Sequence, residues 1–497
     1  MKSILARLGT ASCLLLSFTI APVNAHDLVS ADDDEAQGTE NAFKPTVSGS
    51  GRYVVFHTEA SLLPEDDNLF RDVYWRDRET RELRLISQNA EGEAGNGDSN
   101  DAVISANGAF VAFQSTARNF VDDDPGALID IFVCEIATGE ITMISRSPSG
   151  ERGNGSSTDP SISYDGSMVA FQSAATNLSP LDTMPDSDIY ARSRTDDSSI
   201  VLVSRNASDA PGNSAEIQAV ISGDGEYVAF TSFSDNLLAD DPDTDRDVYL
   251  FRLDTGTLEL VSYDSTNTVS GNGLSQNPSL NESGRVVVFY STGTNLSGDD
   301  NDALNDVFIR YMDAMAPENI LVSVNNEKEK SNLTSVSGPL SLSSDGQFVA
   351  FRSQGTNMGA SNANAGFSAY HIYLRDVAVE KTILMNDVTG GADDSSDDVT
   401  ISADGETVVY ESDATNLVNF DYNGSTTDVF ASPGRDFTFD REARAAAIQK
   451  AILRAKLTKK LRKFKKKLRK VRRAKKAARV KAFKKKIRKV KKQLRSL

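Results

Sequence analysis

Seven segments of this chain repeat one pattern: VSGSGRYVVFHTEA (47–60), ISANGAFVAFQSTA (104–117), ISYDGSMVAFQSAA (162–175), ISGDGEYVAFTSFS (221–234), LNESGRVVVFYSTG (280–293), LSSDGQFVAFRSQG (342–355) and ISADGETVVYESDA (401–414). Their central aromatics, Phe56, Phe113, Phe171, Phe230, Phe289, Phe351 and Tyr410, stand 57, 58, 59, 59, 62 and 59 residues apart. Self-similarity at a fixed period makes the chain an array of one supersecondary unit, and that constrains the fold more tightly than any local propensity.

Each unit reads as four strands. A short apolar strand ends in Ser, and a D-G, N-G or S-G turn then supplies the positive φ of a tight hairpin. A second strand of the type Tyr227-Val228-Ala229-Phe230 alternates its side chains across a sheet. An acidic loop leads to a third strand, DVYWRD (72–77), DIFVCE (130–135), DIYARS (188–193), DVYLFR (247–252), DVFIRY (306–311), HIYLRD (371–376) or DVFASP (428–433). A fourth follows in six copies, from LRLIS (83–87) to KTILM (381–385), and none follows Pro433.

Four short antiparallel strands at this period describe an all-β, seven-bladed β-propeller, with repeats near 45–87, 102–145, 160–204, 219–262, 278–324, 339–385 and 399–433. A β-solenoid has shorter repeats, and a string of independent domains needs more residues per core. The order "LVS, loop, first strand" in LELVSYDSTNTVSGNGLSQNPSLN (258–281) recurs at HDLVSADDDEAQGTENAFKPTVS (26–48). Residues 27–30 are therefore expected to complete the last blade beside Asp428–Ala431. Closing the ring in this way removes exposed sheet edges.

The S-x-D-G turn, the V-A-F-x-S strand and the D-V-Y-x-R-D strand resemble the WD-type, TolB-like repeats of secreted bacterial propellers. The resemblance covers residues 27–433. TolB itself is known for six blades, and the count of seven departs from it. What the resemblance implies is a non-enzymatic scaffold that binds a protein partner on a propeller face.

Charge is unevenly spread. Residues 441–497 hold 28 Lys or Arg against one acid, Glu442, a net of +27. With Lys2 and Arg7 set aside, the chain's 53 basic and 71 acidic side chains leave residues 26–440 with 23 and 70, a net of −47. The basic segment contains no Gly or Pro and is rich in Ala, Leu, Lys and Arg. It reads as a helical tail of up to about 85 Å, with a narrow apolar stripe through Leu457, Leu461, Phe464, Leu468 and Val471. Like charges flanking that stripe disfavour self-association. The expected partner is a polyanion: anionic lipid, lipopolysaccharide or nucleic acid.

Residues 1–25 have the layout of a cleaved secretory signal, with Lys2 and Arg7, an apolar run from Cys13 to Ile20 and a small-residue exit at Ala25. The mature chain, residues 26–497, is thus expected in the periplasm or outside the cell, with no transmembrane helix and a monomeric propeller. It keeps one cysteine, Cys134, so no intramolecular disulfide forms.

Chemistry is sparse. His57 and His371 read as blade-surface histidines, and Cys134 within DIFVCE reads as a packed thiol. The loops before the third strands carry oxygen-rich strings that suit calcium. The candidate ligands share the spacing D-x-N-x(4)-D: Asp299, Asn301 and Asp306, and Asp421, Asn423 and Asp428. The competing reading makes the Asp before V-Y or V-F a turn cap. The recurrent Asn at 119, 177, 236, 295, 357 and 416 reads as a turn residue bonding its own backbone. No catalytic residue is assigned. The functional expectation is a non-enzymatic binding scaffold, and the alternative is a carbohydrate-active hydrolase or lyase using the central channel, which carboxylates or histidines converging there would favour.

Overall fold

The computed structural model describes residues 26–432, apart from 33–35, 123, 125, 127, 185, 197–198, 242, 315–316, 336–339, 359–368, 387–391, 419–422 and 425. The signal segment, the basic tail and Asp421 lie outside the described residues.

The described residues form seven four-stranded antiparallel sheets, the blades of a β-propeller. Blade 1 runs Ala42–Val47, Tyr53–Thr58, Asp72–Asp77 and Leu83–Leu85, and blades 2 to 6 repeat that order. Blade 7 contains Ser396–Ile401, Val408–Ser412 and Asp428–Ser432, and its fourth strand is Asp27–Leu28, in register Asp27 with Ala431 and Leu28 with Phe430. The Val29 amide continues the pairing at 2.8 Å from the Val429 carbonyl.

Both faces of every blade are covered by a neighbour, which is why the second and third strands read as almost unbroken apolar runs. In YVAFTS (227–232) every residue is buried. Alternation decides where each side chain goes. Tyr227 and Ala229 pack with Val287 and Phe289 of blade 5, while Val228 and Phe230 pack with Ala170 and Ile189 of blade 3. The hairpin glycine is required for two reasons. Gly108 has a φ of +71°, and a Cβ there would lie 2.4 Å from the Tyr53 ring of blade 1.

First strands of adjacent blades bond one another round the ring. The Thr46 hydroxyl reaches the Ala102 carbonyl at 3.2 Å, and the Thr400 hydroxyl reaches the Pro45 carbonyl at 3.0 Å across the blade 7 to blade 1 junction. They are the innermost strands. They also begin earlier than their apolar ends suggest: Ser99–Ile104, Ser157–Ile162 and Ser275–Leu280 start in polar residues and are interrupted by a bulge. A polar, bulged strand gives no alternation signal, so only its last residues are visible in sequence.

The histidines are not on the blade surface. His57 is 4% exposed within a second strand, and His371 is 2% exposed at the start of a third. Each sits where alternation turns it inward. Cys134 is packed among Trp75, Val111 and Phe132, and burial pushes its thiol up to about 12. The recurrent Asn is structural, but it bonds the preceding interblade loop and not its own turn: Asn236 accepts from the Asn213 amide at 3.1 Å and donates to the Pro211 carbonyl at 3.0 Å.

Candidate functional site

The bulge sets the geometry of the channel. In six blades it places a non-glycine residue at positive φ on the innermost strand: Lys44 (48°), Asp101 (50°), Asp159 (52°), Gln218 (59°), Asn277 (52°) and Asp398 (28°). Backbone in this region is strained for such residues and persists only where the surroundings fix it. In three of them the amide is captured by a side chain of the preceding blade. The Lys44 amide bonds Glu411 Oε2, the Asp159 amide bonds Gln114 Oε1 and the Asn277 amide bonds Gln218 Oε1, each at 3.0 Å. All six residues line a cavity of about 390 Å³ on the propeller axis.

Second strands contribute the residue after V-A-F or its variant: His57, Gln114, Gln172, Thr231, Tyr290, Arg352 and Glu411. The charged members converge where blades 6, 7 and 1 meet. Asp397, Asp398 and Glu411 bring carboxylate oxygens within 4.8 Å of one another. Arg352 forms an ion pair with Asp397, and Lys44 with Asp101. Burial pushes Glu411 upward, and the neighbouring Asp398 adds to the shift. Burial opposes the charge of Lys44, yet Asp101 holds it above the ordinary lysine range. Burial lowers His57 to about 4, so its imidazole is neutral near pH 7.

The sequence-derived metal candidates fall elsewhere, in the loops before the third strands. Asp299 and Asn301 are exposed, and the register is displaced by one: Asp300 and Asp302 converge with Asp306. Lys330 Nζ lies among them, 3.6, 2.7 and 2.6 Å from Asp300, Asp302 and Asp306. In blade 7, Asn423 Nδ2 donates to the Gly38 carbonyl at 3.0 Å, while Asp428 accepts from Ser30 at 2.7 Å and from Gln37 at 3.1 Å. These two are thus held by separate partners.

The Asp that opens each third strand is not a simple turn cap. Its Oδ1 accepts a hydroxyl from the Ser that follows the fourth strand, as in Ser145 to Asp130 at 2.7 Å and Ser323 to Asp306 at 2.6 Å. The same Ser oxygen accepts the next amide, for example Ile131 N at 3.1 Å. Blade 6 replaces the pair by His371 and Asn386, 3.3 Å apart.

Sequence reasoning missed the channel residues because they sit on the polar, bulged strands. A signal was available. Aligning the seven copies shows columns that repeat, the Ser, Gly, Asp and Asn, and one that differs in nearly every blade, the residue after V-A-F. Repeated columns build the ring, and the variable one stands behind the bulge of the innermost strand, as Glu411 and Gln114 do at Lys44 and Asp159.

Fold and channel define a β-propeller whose axial cavity is lined by the innermost strands, with Asp101, Asp159, Asp398 and Lys44 as its charged residues. No protein-family model matches the chain, and no curated protein matches it. Among solved structures it is similar to TolB from Acinetobacter baumannii, at 14% identity and a TM-score of 0.34, over 59% of this chain and 56% of that one. It is also similar to an oligogalacturonate lyase in complex with manganese, at 12% identity and a TM-score of 0.48, over 84% and 98% of the two chains. A structure of prolyl endopeptidases matches at 13% identity and a TM-score of 0.46, over 79% and 50%. The chain spans little more than half of the TolB structure, and at these identities the likeness is one of fold.

Proposed function

We propose that this chain is a secreted or periplasmic, non-enzymatic binding module whose channel receives a cationic group of a protein partner. The observation that supports this is positional: the bulge residues of the innermost strands differ from blade to blade, are polar, and line the channel, three of them as carboxylates. Asp101, Asp159 and Asp398 line the cavity with Lys44, and Asp397, Glu411 and Arg352 cluster beside Asp398. An excess of carboxylates in a confined site favours an ammonium or guanidinium. In this reading the strand Asp27–Leu28 is the clasp of the ring, and residues 441–497 form a helix that attaches the module to a polyanionic surface.

Titrating the full mature chain with a short peptide bearing a free N-terminal Arg, against an N-acetylated counterpart with citrulline in place of Arg, tests the reading. Tighter binding of the charged peptide, weakened at least tenfold by Asp398→Asn with Glu411→Gln, is expected. Equal binding by wild type and variant overturns it.

A second reading has its own support. The cluster Asp397, Asp398 and Glu411, in which burial holds the Asp398 and Glu411 carboxyls toward the protonated form, has the character of an acid–base site. A channel hydrolase or lyase acting on carbohydrate would then show turnover of oligosaccharide that Glu411→Gln abolishes.

A further inference from the structure

Every blade that opens its third strand with Asp must satisfy the second oxygen of that buried carboxylate. Oδ1 always takes the Ser or equivalent hydroxyl, so Oδ2 needs another donor. Blade 1 uses Asn68 Nδ2, 2.9 Å from Asp72 Oδ2. Blade 2 uses Arg152, whose Nε lies 2.6 Å from Asp130 Oδ2 and which also pairs with Asp124. Blade 5 uses Lys330 Nζ, 2.6 Å from Asp306 Oδ2. Blade 7 uses Gln37 Nε2, 3.1 Å from Asp428 Oδ2. Blade 3 sets beside Asp188 the carboxyl of Glu216, which burial pushes up to about 9 and so keeps protonated.

Blade 4 differs. Asp247 is fully buried, and its Oδ2 has no hydrogen-bond partner among the described residues. What approaches it is more acid: Asp241, Asp243 and Asp247 bring their oxygens within 4.8 Å of one another. Asp241 is buried as well, while Asp243 stands on the solvent side. The place held by Arg152 in blade 2 and Lys330 in blade 5 is taken in blade 4 by Ser270, since each of the three pairs by a single bridge with the residue six or seven positions earlier. Ser270 Oγ donates to Asp243 at 3.2 Å and brings no positive charge.

We propose that Asp241, Asp243 and Asp247 form a calcium-binding site, in which the ion supplies the charge that Arg152 and Lys330 supply in their blades. The argument is a substitution within one molecule. Three equivalent positions hold acids around a common point, two of them show a cationic side chain at that point, and the third presents an orphaned buried oxygen. Oxygens bound to one calcium at about 2.3–2.6 Å lie at most about 5 Å apart, which the 4.8 Å cluster meets. Three carboxylates with a hydroxyl alongside are the hard oxygen donors calcium takes, and the exposed side at Asp243 is an entry path.

Calorimetric titration of the chelator-treated full mature chain with calcium chloride tests this. One saturable ion per chain is expected. Ser270→Lys, which copies blade 5, should weaken that binding at least a hundredfold while leaving the circular dichroism spectrum native. Lys330→Ser, which copies blade 4, should raise the stoichiometry from one to two. Should Ser270→Lys not fold, Asp243→Asn at the exposed rim is expected to weaken binding at least tenfold. Absence of saturable binding by the wild-type chain, or saturable binding that Ser270→Lys (or Asp243→Asn in its place) leaves unchanged, overturns the proposal.

Discussion

The Ser30 hydroxyl donates to Asp428 Oδ1 at 2.7 Å, joining residues 398 positions apart, and its oxygen accepts the Val429 amide at 3.0 Å. Within a single repeat the same pair of bonds links Ser204 to Asp188 and to the Ile189 amide, at 2.7 and 2.9 Å. Residues 26–30 thus stand to blade 7 as the end of a fourth strand stands to its own blade. Removing residues 26–31 exposes the strand Asp428–Ser432 and uncovers Asp428, which is 1% exposed. The expected outcome is loss of a cooperative urea transition at room temperature. Ser30→Ala alone should lower stability by about 1–3 kcal/mol, the cost of an unsatisfied buried group. An unchanged urea midpoint in both variants would show that the ring closes by other means.

Lys330 is 13% exposed and faces three carboxylates, so its removal leaves buried negative charge without a counter-ion. Breaking a buried pair from one side costs about 3–5 kcal/mol, reduced here by partial exposure. Lys330→Met is expected to destabilise the chain by about 2–4 kcal/mol in calcium-free buffer. Adding Asp306→Asn should recover part of that loss, because one of the uncompensated charges is gone. Urea midpoints of the single and double variants decide it, and a double variant less stable than the single one would contradict the account.

The repeat made the ring, the blade count and most third strands legible, because DVYLFR and its copies are buried on both faces and carry a dense apolar signal. The innermost strands were legible only at their ends. SNDAVI and STDPSI satisfy their backbone through a bulge and cross-blade bonds, and their polar side chains serve the channel. In blade 5 the acids that cluster with Asp306 are Asp300 and Asp302, one residue along from Asp299 and Asn301. The spacing D-x-N-x(4)-D occurs twice in the sequence, whereas the repeat aligns Asp241, Asp243 and Asp247 with Asp300, Asp302 and Asp306, the spacing D-x-D-x(3)-D. The cation that answers the blade 5 acids, Lys330, and its counterpart Arg152, which answers Asp124 and Asp130 in blade 2, sit more than twenty residues away, beyond the reach of any local motif.

His57 carries a directional pH effect. Burial lowers its pKa to about 4, with the positive charges of Lys44 and Arg71 adding to the shift and Asp101 opposing it. The unfolded chain protonates this imidazole near 6.5, so between pH 6.5 and 4 the unfolded state binds a proton that the folded state refuses. Stability therefore falls as pH drops through that window, by up to about 3 kcal/mol, and His57 contributes no further loss below pH 4. His57→Gln should remove this part of the slope. The checks are urea denaturation from pH 7 to 4 for both chains, and an NMR titration in which the His57 ring signals stay unshifted above pH 5. A ring titrating near 6.5 would contradict the buried placement.

The basic segment should govern attachment to polyanions. With +27 in residues 441–497 and −47 in residues 26–440, the propeller repels an anionic surface that the tail attracts. Binding through many Lys and Arg releases counter-ions, so affinity should fall steeply with salt. The full mature chain is expected to sediment with phosphatidylglycerol vesicles and with lipopolysaccharide at 50 mM salt and to be released as salt rises several-fold, following the screening of surface charge. Residues 26–440 alone should remain in solution throughout. Equal sedimentation of the two chains would place the attachment on the propeller, and a salt-independent pellet would point to the apolar stripe through Leu461, Phe464 and Leu468 instead of to charge.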